Sequence, residues 1–206
     1  MKLPEKTIER LSQYRRTLLN CLHSGQTHIF SHELAALLNI TAVQVRRDIM
    51  FLGYTSIQRK GYDIQEMVNV IGNLLDSKEV MNVAVIGIGH LGTAITTYFK
   101  GKRAKLDIVA SFDVDPEKIG KMIAGVKCYS ITQASEVVKD LNISVGIVTL
   151  PPEHAAEVVE KFVHAGVKGF LNFTTVPLNV PSNVYLEEFD MITSLEKVAY
   201  FAKKHK

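Results

Sequence analysis

The sequence lacks most of what would place it outside a reducing compartment or in a bilayer. Only two cysteines occur in 206 residues, Cys21 and Cys128, in separate segments and without metal-ligand spacing. They read as free thiols, which excludes a disulfide framework and leaves no metal site to expect. No apolar run approaches the length of a membrane span. The first residues, Met1-Lys2-Leu3-Pro4-Glu5-Lys6, lack the apolar core and cleavage pattern of a secretory signal. A cytoplasmic location is therefore expected. There is no internal repeat and no low-complexity tract. No charge sign dominates either: the net charge is +3, with 47% hydrophobic and 22% charged residues, the balance of an ordinary soluble protein. The charge is unevenly placed, however. Residues 1–62 carry nine Lys/Arg and four Asp/Glu, so +5, and residues 63–206 carry fifteen basic and seventeen acidic residues, so −2. A basic front end suits nucleic acid, although a solvated surface would carry the same charge.

What is present falls into two patterns. Ile8, Leu11, Leu18, Leu19 and Leu22 recur at helical spacing, with Pro4 at the first turn and an end near Ser24-Gly25. Ser31 reads as the N-cap of a second helix whose apolar side is Leu34, Ala35, Leu37 and Leu38. A tight turn at Asn39-Ile40 leads to Thr41, a second N-cap, and a third helix runs from Ala42 to Leu52 before Gly53. Val43, Val45 and Ile49 are its expected core face. Short β-prone runs then surround the basic turn Arg59-Lys60, and a fourth helix runs from about Gln65 to Leu75. Together these predict a winged helix-turn-helix. In such a unit the second helix of the pair enters the major groove. Here its N-terminal half carries Thr41, Gln44, Arg46 and Arg47; Arg forks onto guanine, Gln onto adenine, and Thr reaches phosphate or a thymine methyl. Ser31, Arg59 and Lys60 complete the DNA-facing set, the wing cations on phosphate or in the minor groove. Taken alone, Arg46-Arg47-Asp48 better describes a solvated, salt-bridged helix face; the two caps, the turn and the wing turn the reading to DNA. A single module reads few base pairs, so a dimer on an inverted repeat is expected.

From about Asn82 short apolar strands alternate with helices, which predicts an α/β, Rossmann-like parallel sheet covered on both faces. The boundary is placed at Asp76-Ser77-Lys78, giving domains of residues 1–78 and 79–206. Val83-Ala84-Val85-Ile86 runs into Gly87-Ile88-Gly89-His90-Leu91-Gly92, a Gly-x-Gly-x-x-Gly turn opening a helix. The first glycine permits the sharp turn, the second lets backbone approach a pyrophosphate, and the third lets helix pack on strand. Asp113 ends the next apolar strand, where a carboxylate bonds both ribose hydroxyls and repels a 2′-phosphate. Val114 beside it supplies no compensating cation, so NADH/NAD+ is expected over the phosphorylated pair. Asp115-Pro116 reads as a turn.

Nothing in this pattern supplies catalysis. A dehydrogenase needs a proton donor beside the nicotinamide. His90 lies near phosphates, His154 and His164 at helix ends, and Tyr98 has a packing role as ready as a catalytic one. Residues 79–206 also leave no second domain to close over a substrate. The chain is not expected to be an enzyme; the alternative is a small NAD-dependent oxidoreductase, and a coenzyme A-binding module is a further rival. A final helix carries an apolar stripe of Ile192, Leu195, Val198, Ala199 and Ala202, which by pattern alone favours packing on its own domain.

Four stretches resemble the Rex family of redox-sensing transcriptional repressors over essentially the whole chain. They are Thr41–Asp48, Gly87–Gly92, Phe112–Gly120, and Leu171-Asn172-Phe173 with Leu178-Asn179-Val180-Pro181. The resemblance implies a homodimer that binds inverted-repeat operators and is released by NADH. It implies that the final helix is exchanged between subunits, overriding the pattern. It also implies Tyr98 near the nicotinamide, Lys118 near the adenosine, and Thr149-Leu150-Pro151 and Asn172-Phe173 along the pocket. Arg16 and Asp190 would pair in the DNA-competent state. The sequence departs from the family in the wing, where Ser56 and Arg59 stand at positions usually glycine, and after the third glycine, where Thr93 replaces an arginine.

Overall fold

A 19-residue helix, α1 (Glu5–His23), opens the chain, followed by a two-residue strand β1 (His28–Ile29), α2 (Ser31–Leu38) and α3 (Ala42–Phe51). β2 (Tyr62–Asp63) pairs antiparallel with β1, and α4 (Ile64–Leu75) closes this part. The computed structural model describes residues 3–54, 60–102 and 105–203. Contacts divide the chain into two units, Met1–Lys78 and Glu79–Lys206.

The first unit is a winged helix-turn-helix. Leu11, Tyr14 and Leu18 of α1 pack with Leu34, Val45, Ile49, Ile64, Met67 and Ile71 in one core. Asn39 adopts the left-handed conformation (φ 53°) that turns α2 into α3, and Thr41 caps α3 by accepting from the Gln44 N–H at 3.2 Å. Gly61 has φ +82°, and a Cβ there would sit 2.7 Å from the Ile29 carbonyl, so only glycine lets the wing return beside β1. Ser56 and Arg59 lie outside the described residues.

Three expectations need correction here. Val43 is 66% exposed, and the buried face of α3 is Val45, Asp48 and Ile49. At about 100° per residue Val43 lies roughly 200° from Val45, whereas positions three and four residues on share its face. Leu37 is likewise exposed. Ser31 is the first helical residue rather than the cap; the Glu33 carboxylate accepts from the Phe30 N–H at 2.7 Å, and the Ser31 hydroxyl accepts from Arg46 Nη1 at 3.2 Å.

The second unit alternates strand and helix: β3 (Met81–Ile86), α5 (His90–Phe99), β4 (Leu106–Asp113), β5 (Met122–Ile123), β6 (Val126–Ser130), α6 (Ala134–Asp140), β7 (Ile143–Val148), α7 (Pro152–Ala165), β8 (Gly169–Asn172), β9 (Tyr185–Glu188) and α8 (Met191–Ala202). A 3₁₀ turn, Ile131–Gln133, leads into α6. Among the described residues the strands form one sheet of order β5-β6-β4-β3-β7-β8-β9, parallel except for β5 against β6. Alternation along β3 shows why both faces are covered. Ala84 and Ile86 join the core under α6 and α7, with Phe112 and Phe162, while Val83 and Val85 face Ile95 of α5. The unit is thus an α/β, Rossmann-like domain. The final helix departs from the pattern-based expectation: none of its residues is buried, and Ile192, Leu195 and Val198 are 57–69% exposed.

Candidate cofactor and DNA sites

The strand order reverses at β3, with β4 on one side and β7 on the other, which opens a crevice at the carboxyl ends of these strands. The glycine turn lies there. Gly87 has φ +95°, and a Cβ would come within 2.9 Å of the Thr149 carbonyl. A Cβ on Gly92 would strike the Gly87 carbonyl oxygen and approach Thr149 Oγ1 at 2.9 Å. Thr149 Oγ1 in turn donates to the Gly87 carbonyl at 2.6 Å, fastening the turn to the end of β7. Gly89 differs: a Cβ there would meet nothing within 4 Å. The turn is closed where it must be tight and open where a ligand would approach. The first N–H groups of α5 have no partner within the helix and carry its positive end, so the opening suits an anion.

Asp113 is 8% exposed at the end of β4. Its Oδ1 accepts from the N–H groups of Val114 (2.9 Å) and Asp115 (3.0 Å). Its Oδ2 accepts from the Ile88 N–H and from Lys118 Nζ, both at 3.0 Å. Burial pushes its pKa up, but the Asp115 N–H, Lys118 and the Val114 N–H outweigh this and hold it below the usual carboxylate value. Lys118 is raised by the same pairing. The Asp115 carboxylate accepts from the Glu117 N–H at 2.9 Å, an Asx turn.

Gly87, Gly89, Asp113, Val114, Lys118, Thr149, Leu150 and Pro151 line one cavity of about 720 Å³. Ile88 is buried behind the turn, and His90 and Leu91 are exposed on the first turn of α5. Six proposed cofactor residues are not among the lining: Ile88, His90, Leu91 and Gly92 of the turn, and Tyr98 and Asn172. Tyr98 is 60% exposed on α5, with Lys102 Nζ 3.3 Å from its ring centre. Asn172 is fully buried, and its amide is spent on neighbouring protein groups: it donates to the Val176 carbonyl and to Glu188 Oε2 of β9, and accepts from the Thr174 N–H and hydroxyl. Sequence reasoning missed Ser130, Ile131, Thr132 and Glu157, which also line the cavity, together with His154 at the start of α7. Ser130–Thr132 carry no motif; the signal for them is their place directly after a parallel strand, where such folds bind ligands.

In the first unit, Arg46 and Arg47 are exposed on α3, Thr41 is exposed at its start, and Lys60 is exposed beside Gly61. Arg59 lies outside the described residues. Gln44 spends one of its two amide N–H groups on Asp48 Oδ1, at 2.9 Å. Asp48, fully buried, also accepts from Arg10 Nε (2.6 Å) and Nη2 (2.8 Å) and from the Tyr14 hydroxyl (2.7 Å). This bidentate pair ties α3 to α1. Burial drives Asp48 upward, yet Arg10, Tyr14 and Gln44 together hold its pKa below the ordinary value. Burial and the Asp48 bond raise Tyr14.

Residues 77–176 match the family described as CoA binding domain, and residues 2–49 match the family described as Putative DNA-binding protein N-terminus. A protein of Exiguobacterium sibiricum named Redox-sensing transcriptional repressor Rex is 34% identical over 204 residues, covering 99% of this chain and 93% of the relative. The chain belongs to the Rex family.

Solved Rex-family structures are similar to this chain. RSP in complex with beta-NAD+ and operator DNA superposes with TM-score 0.91 at 29% identity, covering 100% of this chain and 94% of that one. RSP in complex with beta-NADH gives TM-score 0.88 at 28% identity, covering 100% and 96%. The two residues that the Rex resemblance would pair lie in different units. Arg16 is exposed on α1. Asp190 caps α8, its carboxylate accepting from the Thr193 N–H at 3.0 Å and from the Thr193 hydroxyl, and the Thr193 contacts hold its pKa low. No helix among the described residues is long and apolar enough to cross a membrane.

Proposed function

We propose that this chain is a redox-sensing repressor that binds inverted-repeat operator DNA as a homodimer and is released by NADH. The observation that carries this is a dinucleotide crevice, with the open Gly89 approach beside the fixed Asp113 carboxylate, on the same chain as a helix-turn-helix. In this reading the pyrophosphate meets the α5 N-terminus at Gly87–Gly92, including Ile88, His90 and Leu91. Asp113, Val114 and Lys118 face the adenosine ribose, and Thr149, Leu150 and Pro151 lead toward the nicotinamide. Residues 1–78 read DNA through Thr41, Arg46, Arg47 and Lys60, with Ser31 steadying Arg46; Gln44 acts by orienting α3 through Asp48. Residues 79–206 bind the nucleotide and dimerise. The bare apolar face of α8 and the exposed Tyr98 are the surfaces given to a second subunit, which would complete the nicotinamide end together with the Asn172 loop. Arg16 and Asp190 would be coupled only in the DNA-competent arrangement.

The two redox forms differ in charge at one ring, cationic when oxidised and neutral when reduced. An apolar nicotinamide site avoids desolvating a charge when it takes the reduced ring. NADH can release DNA only by binding the DNA-incompetent arrangement better. The relatives are named repressors. A CoA-type ligand is the second reading that the family match raises. It is disfavoured because its 3′-phosphate would meet Asp113 and Asp115. Gel shifts on promoter fragments with NADH, NAD+ or coenzyme A test the proposal. Retardation relieved by NADH alone is expected; relief by coenzyme A alone, or no DNA binding, would contradict it. In the same assay Arg47→Ala should flatten the salt dependence of DNA affinity by about one unit of slope.

A further inference from the structure

The four hydrogen bonds on Asp113 have a consequence for which nucleotide the crevice accepts. An ionised carboxylate offers about four lone-pair positions. Here two on Oδ1 are taken by the Val114 and Asp115 N–H groups, and two on Oδ2 by the Ile88 N–H and Lys118 Nζ. The three backbone donors cannot leave without opening the turn. Lys118 can: its side chain is 32% exposed, on a flexible stem, and Asp115 Oδ2 stands 3.6 Å from its ammonium as an alternative partner. A ribose hydroxyl that bonds Asp113 therefore takes the position Lys118 holds.

The local charge then decides how a 2′ substituent fares. Asp113, Asp115 and Lys118 together carry −1, which repels a 2′-phosphate. Without the Asp113 carboxylate the same three positions carry no net charge, and an ammonium within reach of the ribose is released from its strongest partner. Resting on the dinucleotide reading above, we propose that Lys118 is a specificity determinant for the ribose 2′ position: a phosphate-binding cation that Asp113 holds masked. The crevice is one carboxylate away from accepting a 2′-phosphorylated dinucleotide.

The test is calorimetric titration of the full chain and three variants, Asp113→Ser, Lys118→Met and the double variant, with NADH and NADPH. The unmodified chain should prefer NADH by a hundredfold or more. Asp113→Ser should cut that preference at least tenfold, with an absolute gain in NADPH affinity. The double variant should lose that gain, and Lys118→Met alone should widen the preference for NADH. A role in folding alone would move both affinities the same way and leave their ratio fixed. The proposal fails if Asp113→Ser gains no NADPH affinity, or if the double variant binds NADPH as tightly as Asp113→Ser does. Should Asp113→Ser fail to fold, Lys118→Met decides: an unchanged ratio overturns the proposal. If the unmodified chain binds neither nucleotide, the dinucleotide reading falls and takes this inference with it.

Discussion

Each unit of this molecule buries one aspartate, and the two are satisfied in opposite ways. Asp48 is held entirely by side chains, Arg10, Tyr14 and Gln44, drawn from α1 and α3. Asp113 is held mainly by backbone N–H groups, with one movable lysine at the cavity edge. The first arrangement is sealed, and its purpose is to fix one helix against another. The second faces a cavity, and its fourth bond is exchangeable. A buried charge whose partners are all spent on the fold marks a structural joint; one with a replaceable partner at a crevice marks a binding site. Both have lowered pKa values, so titration alone does not tell them apart.

The sharpest break in this comparison is removal of one partner. Arg10→Met leaves Asp48 buried without its counter-ion and should cost about 3 kcal/mol or more, read as a shift of the urea midpoint. Asp113→Ala leaves three N–H groups facing a cavity that water can enter, and should cost about 1 kcal/mol. Equal losses would erase the distinction. Gly92→Ala drives a methyl into the Gly87 carbonyl and should cost about 2 kcal/mol, with NADH affinity falling at least tenfold.

A pH profile sharpens the comparison further. The folded pKa of each aspartate lies below its unfolded value of 3.8, so the stability each contributes is complete above that value and is lost as pH falls through the folded one. Both units should weaken in acid. At the alkaline end they should separate. Tyr54, raised to about 12 from 10.0 by burial and its bond to Glu66, keeps its proton in the folded state after the unfolded chain has lost it. Its contribution is whole below pH 10 and drains toward 12, and Tyr14 acts in the same direction. Both lie in the first unit. The sheet holds a group of the same sign, the Cys128 thiol, which burial raises from 9.0. In a Cys128→Ala background, hydrogen exchange should show residues 3–54 loosening before the sheet as pH rises past 10; simultaneous loosening would count against the assignment.

The smallest expected effects are local. Thr41→Ala removes the cap of α3 and should cost about 1 kcal/mol. Gly89→Ala meets no neighbour and should change stability by less than about 0.5 kcal/mol, yet it should weaken NADH binding about tenfold. Fluorescence titration beside thermal unfolding reads both quantities.

How much of this was legible follows from where each partner lies in the chain. The glycine turn and Asp113 were readable because strand, turn, helix and acid occur in one local run. The turn at Asn39 and the cap at Thr41 were readable for the same reason. Asp48 was not: its charge suggested a surface, and Arg10 and Tyr14, which make burial tolerable, are 38 and 34 residues away. Val43 is apolar yet exposed, because angular position on the helix, not apolarity alone, decides which residues face the core. Ser130–Thr132 and His154 carry no motif; the order of the strands brings them to the cavity. The short β1 and β5 strands are set by pairing, which periodicity does not encode. The exposed stripe on α8 was visible as a pattern, but a pattern does not say which surface covers it.

The coupling itself is tested most directly by a closed thermodynamic cycle: NADH affinity of the purified full chain with and without a saturating operator duplex, beside duplex affinity with and without saturating NADH. Linkage requires the two factors to agree. Operator should weaken NADH binding by the same factor, tenfold or more, by which NADH weakens operator binding, while NAD+ does neither. NADH affinity that is indifferent to bound DNA would contradict a redox-controlled repressor.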